Sequence, residues 1–259
     1  MLQVRLRKRT ITTLTSTLVT LVTLVTLVAL GACGSATPAP VTSQTAERSD
    51  SPRRGGGQVI EMMSEIGALD EDEVAGTFDA AADELFACYR QGIGRVEYLA
   101  GYSLFEVQID QSGRASALFA KESTLGDRET EMCMVEALVA RTWPKPMGGQ
   151  KGIASRRFDF DPSGDVRPPE TWTRNDVSTV LETQDEALSA CLDGRSRGAY
   201  VATLYVEDDG TGEAGRVLSA GVASHKTPDA SVLDCIMRVL TTADYPTPGS
   251  WVAKATFEL

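Results

Sequence analysis

Histidine is almost missing: the 259 residues contain one, His225. Imidazole is the commonest general base and metal ligand, so a site needing two or more histidines is excluded. No Cys-x-x-Cys pair occurs, which removes thioredoxin-type exchange and the usual zinc-ribbon spacing. No Gly-x-Ser-x-Gly elbow is present. Aromatic residues make up 6 % and tryptophans number three, so any core is modest. Positive charge is also in deficit, with 25 Lys and Arg against 36 Asp and Glu, a net of −11. An acidic surface repels phosphate backbones, which argues against nucleic acid as a partner.

The remaining candidates for chemistry are sparse. His225 sits in Ser224-His-Lys-Thr-Pro-Asp229, where a surface histidine is the simpler reading and a hydrolase using His225 the alternative. Ser224 is too close in sequence to His225 to suggest a preorganised pair. Asp208-Asp-Gly-Thr-Gly-Glu213 lacks calcium-loop spacing and reads as a turn. Asp70–Glu73 reads as a helix start, where carboxylates complement the macrodipole. Gly92-Ile-Gly-Arg95 follows a helix instead of opening one, so it is no phosphate loop. No cofactor or metal site is expected. Trp172 and Trp251 are candidates for stacking on a polysaccharide such as peptidoglycan.

Cysteine is what the chain does have, at positions 33, 88, 133, 191 and 235. Cys33 stands alone after a basic start (Arg5, Arg7, Lys8, Arg9) and an apolar run from Ile11 to Leu30. These are the parts of a secretory signal; a run of about 20 apolar residues would also suffice for an uncleaved membrane span. Leu30-Gly-Ala-Cys33 resembles the lipobox of bacterial lipoproteins. The resemblance implies a signal peptide over 1–32, acylation of Cys33, and anchoring on a membrane through several acyl chains at about 0.8 kcal/mol per buried methylene. Gly34-Ser35 in place of Asp after the cysteine favours the outer membrane, on its periplasmic side. Four basic residues precede Cys33, so the remainder carries 21 basic against 36 acidic side chains, a net of −15. Residues 33–58 form the anchor and a Pro/Ser/Gly-rich linker, too polar to order itself, with a reach of about 25–30 Å.

The other four cysteines fall 45 and 44 residues apart, and laying one pair over the other reveals an internal repeat. Val74, Phe78, Ala81, Leu85 and Cys88 line one helix face, opened by Asp70 with Glu73 three residues on. Val177, Leu181, Leu188 and Cys191 take the same offsets, with Asn175 as cap and Gln184 interrupting. Hairpins follow: Tyr102–Ile109 and Arg114–Ala120 around Asp110-Gln-Ser-Gly113, then Tyr200–Val206 and Gly215–Val222 around Asp208–Gly212. A second helix spans 127–142 and 228–242, the latter with Pro228 at its first position. Each ends at an aromatic-proline pair, Trp143-Pro144 and Tyr245-Pro246, before a last strand over 154–160 and 252–259. The fold expected is α+β: two tandem α-β-β-α-β repeats, over 59–162 and 163–259. Each would hold a three-stranded antiparallel sheet with two helices on one face. Four cysteines allow three pairings; the repeat selects Cys88–Cys133 and Cys191–Cys235, the rival reading being metal ligation without the usual close spacing.

The hairpin with its Asp/Gly turn, Val217-Leu-Ser-Ala220, the helix ending before a proline and the closing Thr256-Phe-Glu-Leu259 resemble the TonB C-terminal domain. The paired cysteines and Ser123-Thr-Leu125 are closest to the disulfide-containing variant in myxobacterial gliding-motility and envelope proteins. The resemblance covers about 60–162 and 165–259. It implies a non-enzymatic protein-binding or scaffold module that meets an envelope protein by adding a strand to a sheet edge, the final strand of either repeat being a candidate. A lipobox and a short linker replace the inner-membrane helix and long proline-rich span of TonB proteins, so energy transduction is not implied. Mass spectrometry of the membrane fraction is expected to find an acylated N-terminus at Cys33; an N-terminus at Met1 would exclude it.

Overall fold

Turn chemistry and alternation set the frame of both halves in the computed structural model, which describes residues 64–162 and 164–259. The expected signal peptide, Cys33 and the linker lie outside the described residues. The N-terminal half contains β1 (Ser64–Ile66), α1 (Glu71–Ile93), β2 (Gly101–Asp110), β3 (Ala115–Ser123), α2 (Arg128–Val139) and β4 (Gly149–Phe160). The C-terminal half contains β5 (Glu170–Trp172), α3 (Ser178–Thr183), α4 (Asp185–Leu192), β6 (Tyr200–Asp208), β7 (Ala214–Ser224), α5 (Ala230–Thr242), β8 (Tyr245–Pro246) and β9 (Ala253–Glu258). The protein is thus α+β, with two sheets, five α-helices and two disulfides among the described residues.

Helix α1 starts where its cap directs. The Asp70 carboxylate accepts from Glu73 N–H at 2.9 Å, satisfying one of the free donors of the first turn. Phe78, Ala81, Leu85 and Cys88 are buried along one face, and burying a side chain such as Leu85 stabilises by about 1.5–3 kcal/mol. Asp127 caps α2 through Thr130 N–H. Asp229, not Pro228, caps α5 by accepting from Ser231 N–H. The proline stands one residue before the cap and fixes the approach of the chain. The helix expected before Cys191 is two pieces, α3 and α4, separated at Gln184, whose φ of −92° and ψ of 6° leave the helical region. Asn175 does not cap it by its side chain. Its carbonyl accepts from Ser178 instead, and Asp176 binds Thr173.

The hairpin turns form around Asp110, which accepts from Ser112 and Arg114 N–H, and Asp208, which accepts from Gly210 and Gly212 N–H. Gly113 at φ 83° and Gly210 at φ 95° supply the left-handed positions that a side chain would strain.

The sheets carry four and five strands, correcting the expectation of three each. Their orders are β1-β4-β2-β3 and β5-β9-β6-β7-β8. In both, the segment ahead of the first helix pairs in parallel with the closing strand: Ser64 with Gly149, and Glu170 with Ala253. Strand β8 adds Tyr245 beside Gly215. Strands of two or three residues show no alternation, and they form because the neighbouring edge offers unpaired backbone groups.

Each sheet packs helices on one face. Phe105, Val107 and Ile109 meet α1 and α2; Tyr200, Ala202, Leu204 and Val206 meet α3, α4 and α5. Cys88 is bonded to Cys133 and Cys191 to Cys235, with Cα–Cα distances of 5.8 and 5.5 Å, so each disulfide ties two helices over one sheet. Closing a loop of about 45 residues restricts the unfolded chain by about 4 kcal/mol in the chain-entropy model. Replacing Cys88 and Cys133 together by Ala is expected to lower unfolding free energy by about 2–4 kcal/mol, read as a lower denaturant midpoint with the far-ultraviolet spectrum unchanged.

Candidate interaction surface

Strand β4 leaves most of its outer edge open. The Lys151 carbonyl accepts from Gly67 N–H at 2.8 Å, which sets the side to which the odd-numbered residues turn their backbone groups. Beyond the end of β1, Ile153, Ser155, Arg157 and Asp159 therefore point N–H and C=O outward, since strand residues alternate. No described strand pairs with them. On its other side β4 runs in register with β2, from Phe160 opposite Gly101 to Lys151 opposite Asp110, its even-numbered residues turning their backbone groups toward β2.

The edge borders a groove of about 570 Å³ between α1 and β4, lined by Leu69, Val74, Phe78, Ile153 and Arg156 among others. Arg156 reaches from β4 to α1, donating to the Ala75 carbonyl at 3.0 Å and the Asp79 carboxylate at 2.6 Å. Its guanidinium also lies over Phe78 and Phe158. Ile66, Met147 and Ile153 are large apolar side chains exposed near this edge. The closing strand of the other half is better covered: β5 pairs with residues 253–255, and Arg174 donates to the Glu258 carbonyl.

A second cluster lies where the halves meet. Strand β6 is buried on both sides, and its Thr203 and Tyr205 turn away from the C-terminal helices. Tyr205 belongs to the N-terminal core with Val252, Leu218 and Trp251. Its hydroxyl lies 3.4 Å from the Tyr98 carbonyl, and burial pushes its pKa well above the usual phenol range. The Thr203 hydroxyl donates to the Ser123 carbonyl at 3.3 Å. Lys254 on β9 donates to the Ala100 carbonyl at 2.6 Å and lies over the Tyr205 ring.

Two acids on and before α2 are buried in the same seam. Asp127 accepts from Arg95 at 2.5 Å, from the Thr130 hydroxyl at 2.5 Å and, across the seam, from Ser219 at 2.8 Å. Glu131 accepts from the Ser123 hydroxyl at 2.5 Å. Burial pushes Glu131 up to about 7, with the Ser123 hydrogen bond partly opposing the shift. Burial pushes Lys254 down to about 8, opposed by the Glu131 carboxylate. Close approach depends on Gly221, where an added Cβ would stand 2.6 Å from Glu131 Oε2. Glu131 and Lys254 were not singled out from the sequence; Asp127 entered only as a helix boundary, and Ser123 and Ser219 only within motifs of the family resemblance. The small residues Ser219, Gly221 and Ala223 at alternate positions of β7 were an available signal, since glycine within a strand marks close approach.

His225 is half-buried beside the start of α5, and its backbone N–H donates to the Ala199 carbonyl at 2.8 Å. The nearby acid and hydroxyl are engaged elsewhere: Asp229 caps α5, and Ser224 Oγ accepts from Lys226 N–H. The structure does not bring Ser224, His225 and Asp229 into a hydrogen-bonded row. Trp251 is flanked by Arg167 and by the edge contact of Tyr98, its indole donating to the Pro168 carbonyl. Trp172 packs on the C-terminal core, whereas Trp251 packs against the N-terminal one. Among the described residues, no group of three or more His, Cys, Asp or Glu could hold a metal ion, and no helix is long and apolar enough to cross a membrane.

Comparison with family models, curated proteins and solved structures found no match. Gly221→Ala is expected to destabilise the protein by about 1–3 kcal/mol through overpacking. Gly198→Ala, where an added Cβ meets nothing within 4 Å, should shift stability by under about 0.5 kcal/mol; thermal unfolding of both variants checks this.

Proposed function

We propose that the protein is a non-enzymatic, lipid-anchored envelope protein that holds another envelope protein through the open edge of β4. The observation that carries this reading is the outward-facing backbone from Ile153 to Asp159 beside the groove under α1. An extended segment added there would gain main-chain hydrogen bonds from Ile153, Ser155 and Arg157, while alternate side chains entered the groove. A bare edge of this length is otherwise a hazard that proteins cover or charge. Arg157 supplies the charge, and an occupant would supply the cover.

The lipobox around Cys33 supports export and anchoring, and the two disulfides fit an oxidising compartment. The proposal includes duplication of a TonB-like module. Both halves place a short parallel strand against the closing strand. Both also set the aromatic after the second helix against the hairpin: Trp143 N–H donates to the Gly113 carbonyl, and Tyr245 pairs with Gly215. On this reading β4 of the first copy keeps the binding edge, and the second copy, whose closing strand is met by Arg174 at the Glu258 carbonyl, serves as scaffold.

Ser155→Pro tests the edge. Proline removes the outward N–H without taking a bond from the β2 ladder, a position strands tolerate. Capture of a partner from envelope extracts by the full chain should fall at least ten-fold in Ser155→Pro while the melting temperature stays within a few degrees. His225→Ala should capture normally. Equal capture by Ser155→Pro and the parent chain would remove strand addition at β4.

A further inference from the structure

The seam between the halves is built unlike either core. Its centre holds Glu131 on α2, buried with its carboxylate against the Gly221 backbone of β7 and hydrogen-bonded to Ser123 of β3. Around it, β9 contributes Lys254 and β6 contributes Tyr205. The start of α2 contributes Arg128, paired with Asp234 of α5 at 2.5 Å, and Asp127, paired with Arg95. Strand β7 contributes only the uncharged Ser219 and Gly221. Removing a charge from water costs several kcal/mol unless partners compensate, and the protonation states of Glu131 and Lys254 set how much compensation exists. Ser219 to Asp127, Arg128 to Asp234, Lys254 to Ala100 and Gly221 against Glu131 are contacts between the two halves, and Tyr205 carries the C-terminal half into the N-terminal core.

We propose that Glu131 and Lys254 form a proton-operated latch between the halves: the seam is tight while Glu131 is protonated, loosens when it ionises, and tightens again once Lys254 is neutral. Ionisation passes the Glu131 proton to solvent and leaves a buried carboxylate facing Asp127. The Ser123 hydroxyl and the Gly126 N–H favour that charged form, but burial outweighs them. Glu131 is raised from 4.5 to about 7, so its contribution is fully present below pH 4.5 and is lost as pH rises through 7. Lys254 is lowered from 10.5 to about 8. The folded protein therefore carries the cost of its buried ammonium below pH 8 and is relieved of it as pH rises toward 10.5. The two arms leave a trough between about pH 7 and 8, where the carboxylate and the ammonium are both charged. Tyr205, raised far above the usual phenol range, stays neutral throughout. Each half keeps its own disulfide, so loosening of the seam leaves the covalent tie within each half in place.

Hydrogen exchange of the full chain, followed by mass spectrometry and corrected for the intrinsic rate, tests the latch. Protection of peptides covering 125–131 and 219–223 should fall at least ten-fold from pH 5 to 7.5 and recover by pH 10, while 153–160 holds its protection. Glu131→Gln should flatten the lower arm and Lys254→Met the upper one. Ser123→Ala removes a bond that favours the charged carboxylate, so it should move the midpoint of the lower arm to higher pH. Arms that persist in the Gln and Met variants, an unmoved midpoint in Ser123→Ala, or equal loss of protection at 153–160 would overturn the proposal.

Discussion

Tyr205 points away from its own helices and is fully buried under the N-terminal half, and much of the architecture follows from that placement. A strand buried on both faces cannot be left with one face in water without exposing a large aromatic ring and Thr203. Strand β6 therefore makes the two halves depend on each other, although each has its own sheet, core and disulfide. The residues around it are shaped by the same demand. Gly126, at φ 74° and with an added Cβ 2.7 Å from Thr203, lets the chain pass close to β6. Gly221 does the same for Glu131. Small side chains on β7 and a left-handed glycine before α2 are the local means by which two sheet-and-helix layers come into contact.

The frame of each half was legible because local chemistry and global packing agree there. The apolar offsets from Phe78 to Cys88 could serve only one helix face. Phe105–Ile109 alternates because one side of β2 meets helices and the other is partly open. Asp110 and Asp208 sit ahead of glycines in both turns, so the hairpins announce themselves. The break at Gln184 was visible as a gap in the stripe, and the structure turns that gap into two short helices. Strands β1, β5 and β8 were illegible for a physical reason: they exist only because a neighbouring edge holds them.

The seam was illegible for a different reason. Glu131 lies on a helix rich in Glu, where a single carboxylate has no mark of burial, and Lys254 reads as the polar partner in an alternating strand. The near-continuous run Tyr200-Val-Ala-Thr-Leu-Tyr-Val206, set against the clean alternation of β2, carried the information. Unbroken apolar character is what a strand covered on both faces requires. The open edge of β4 was legible only as a class of feature. Which closing strand stays open depends on where β1 ends and on Arg174 meeting Glu258, and neither has a pattern in the sequence.

An apolar seam would hold the halves more firmly than buried charges do, since well-packed hydrophobic replacements for buried ion pairs are often neutral or stabilising. The chain packs Tyr205, Val252, Leu218 and Trp251 of the C-terminal half against the N-terminal core, keeps its disulfides inside each half, and sets Asp127, Glu131 and Lys254 beside that apolar contact. That division separates two stabilities. The helix-covered cores resist unfolding through burial and through cross-links that pH does not reach. The seam rests on hydrogen bonds such as Ser219 to Asp127 and Lys254 to Ala100, whose strength depends on charge state and on exclusion of water. The open edge of β4 lies on the N-terminal half, on the side of its sheet away from β3, so a change at the seam need not disturb it directly.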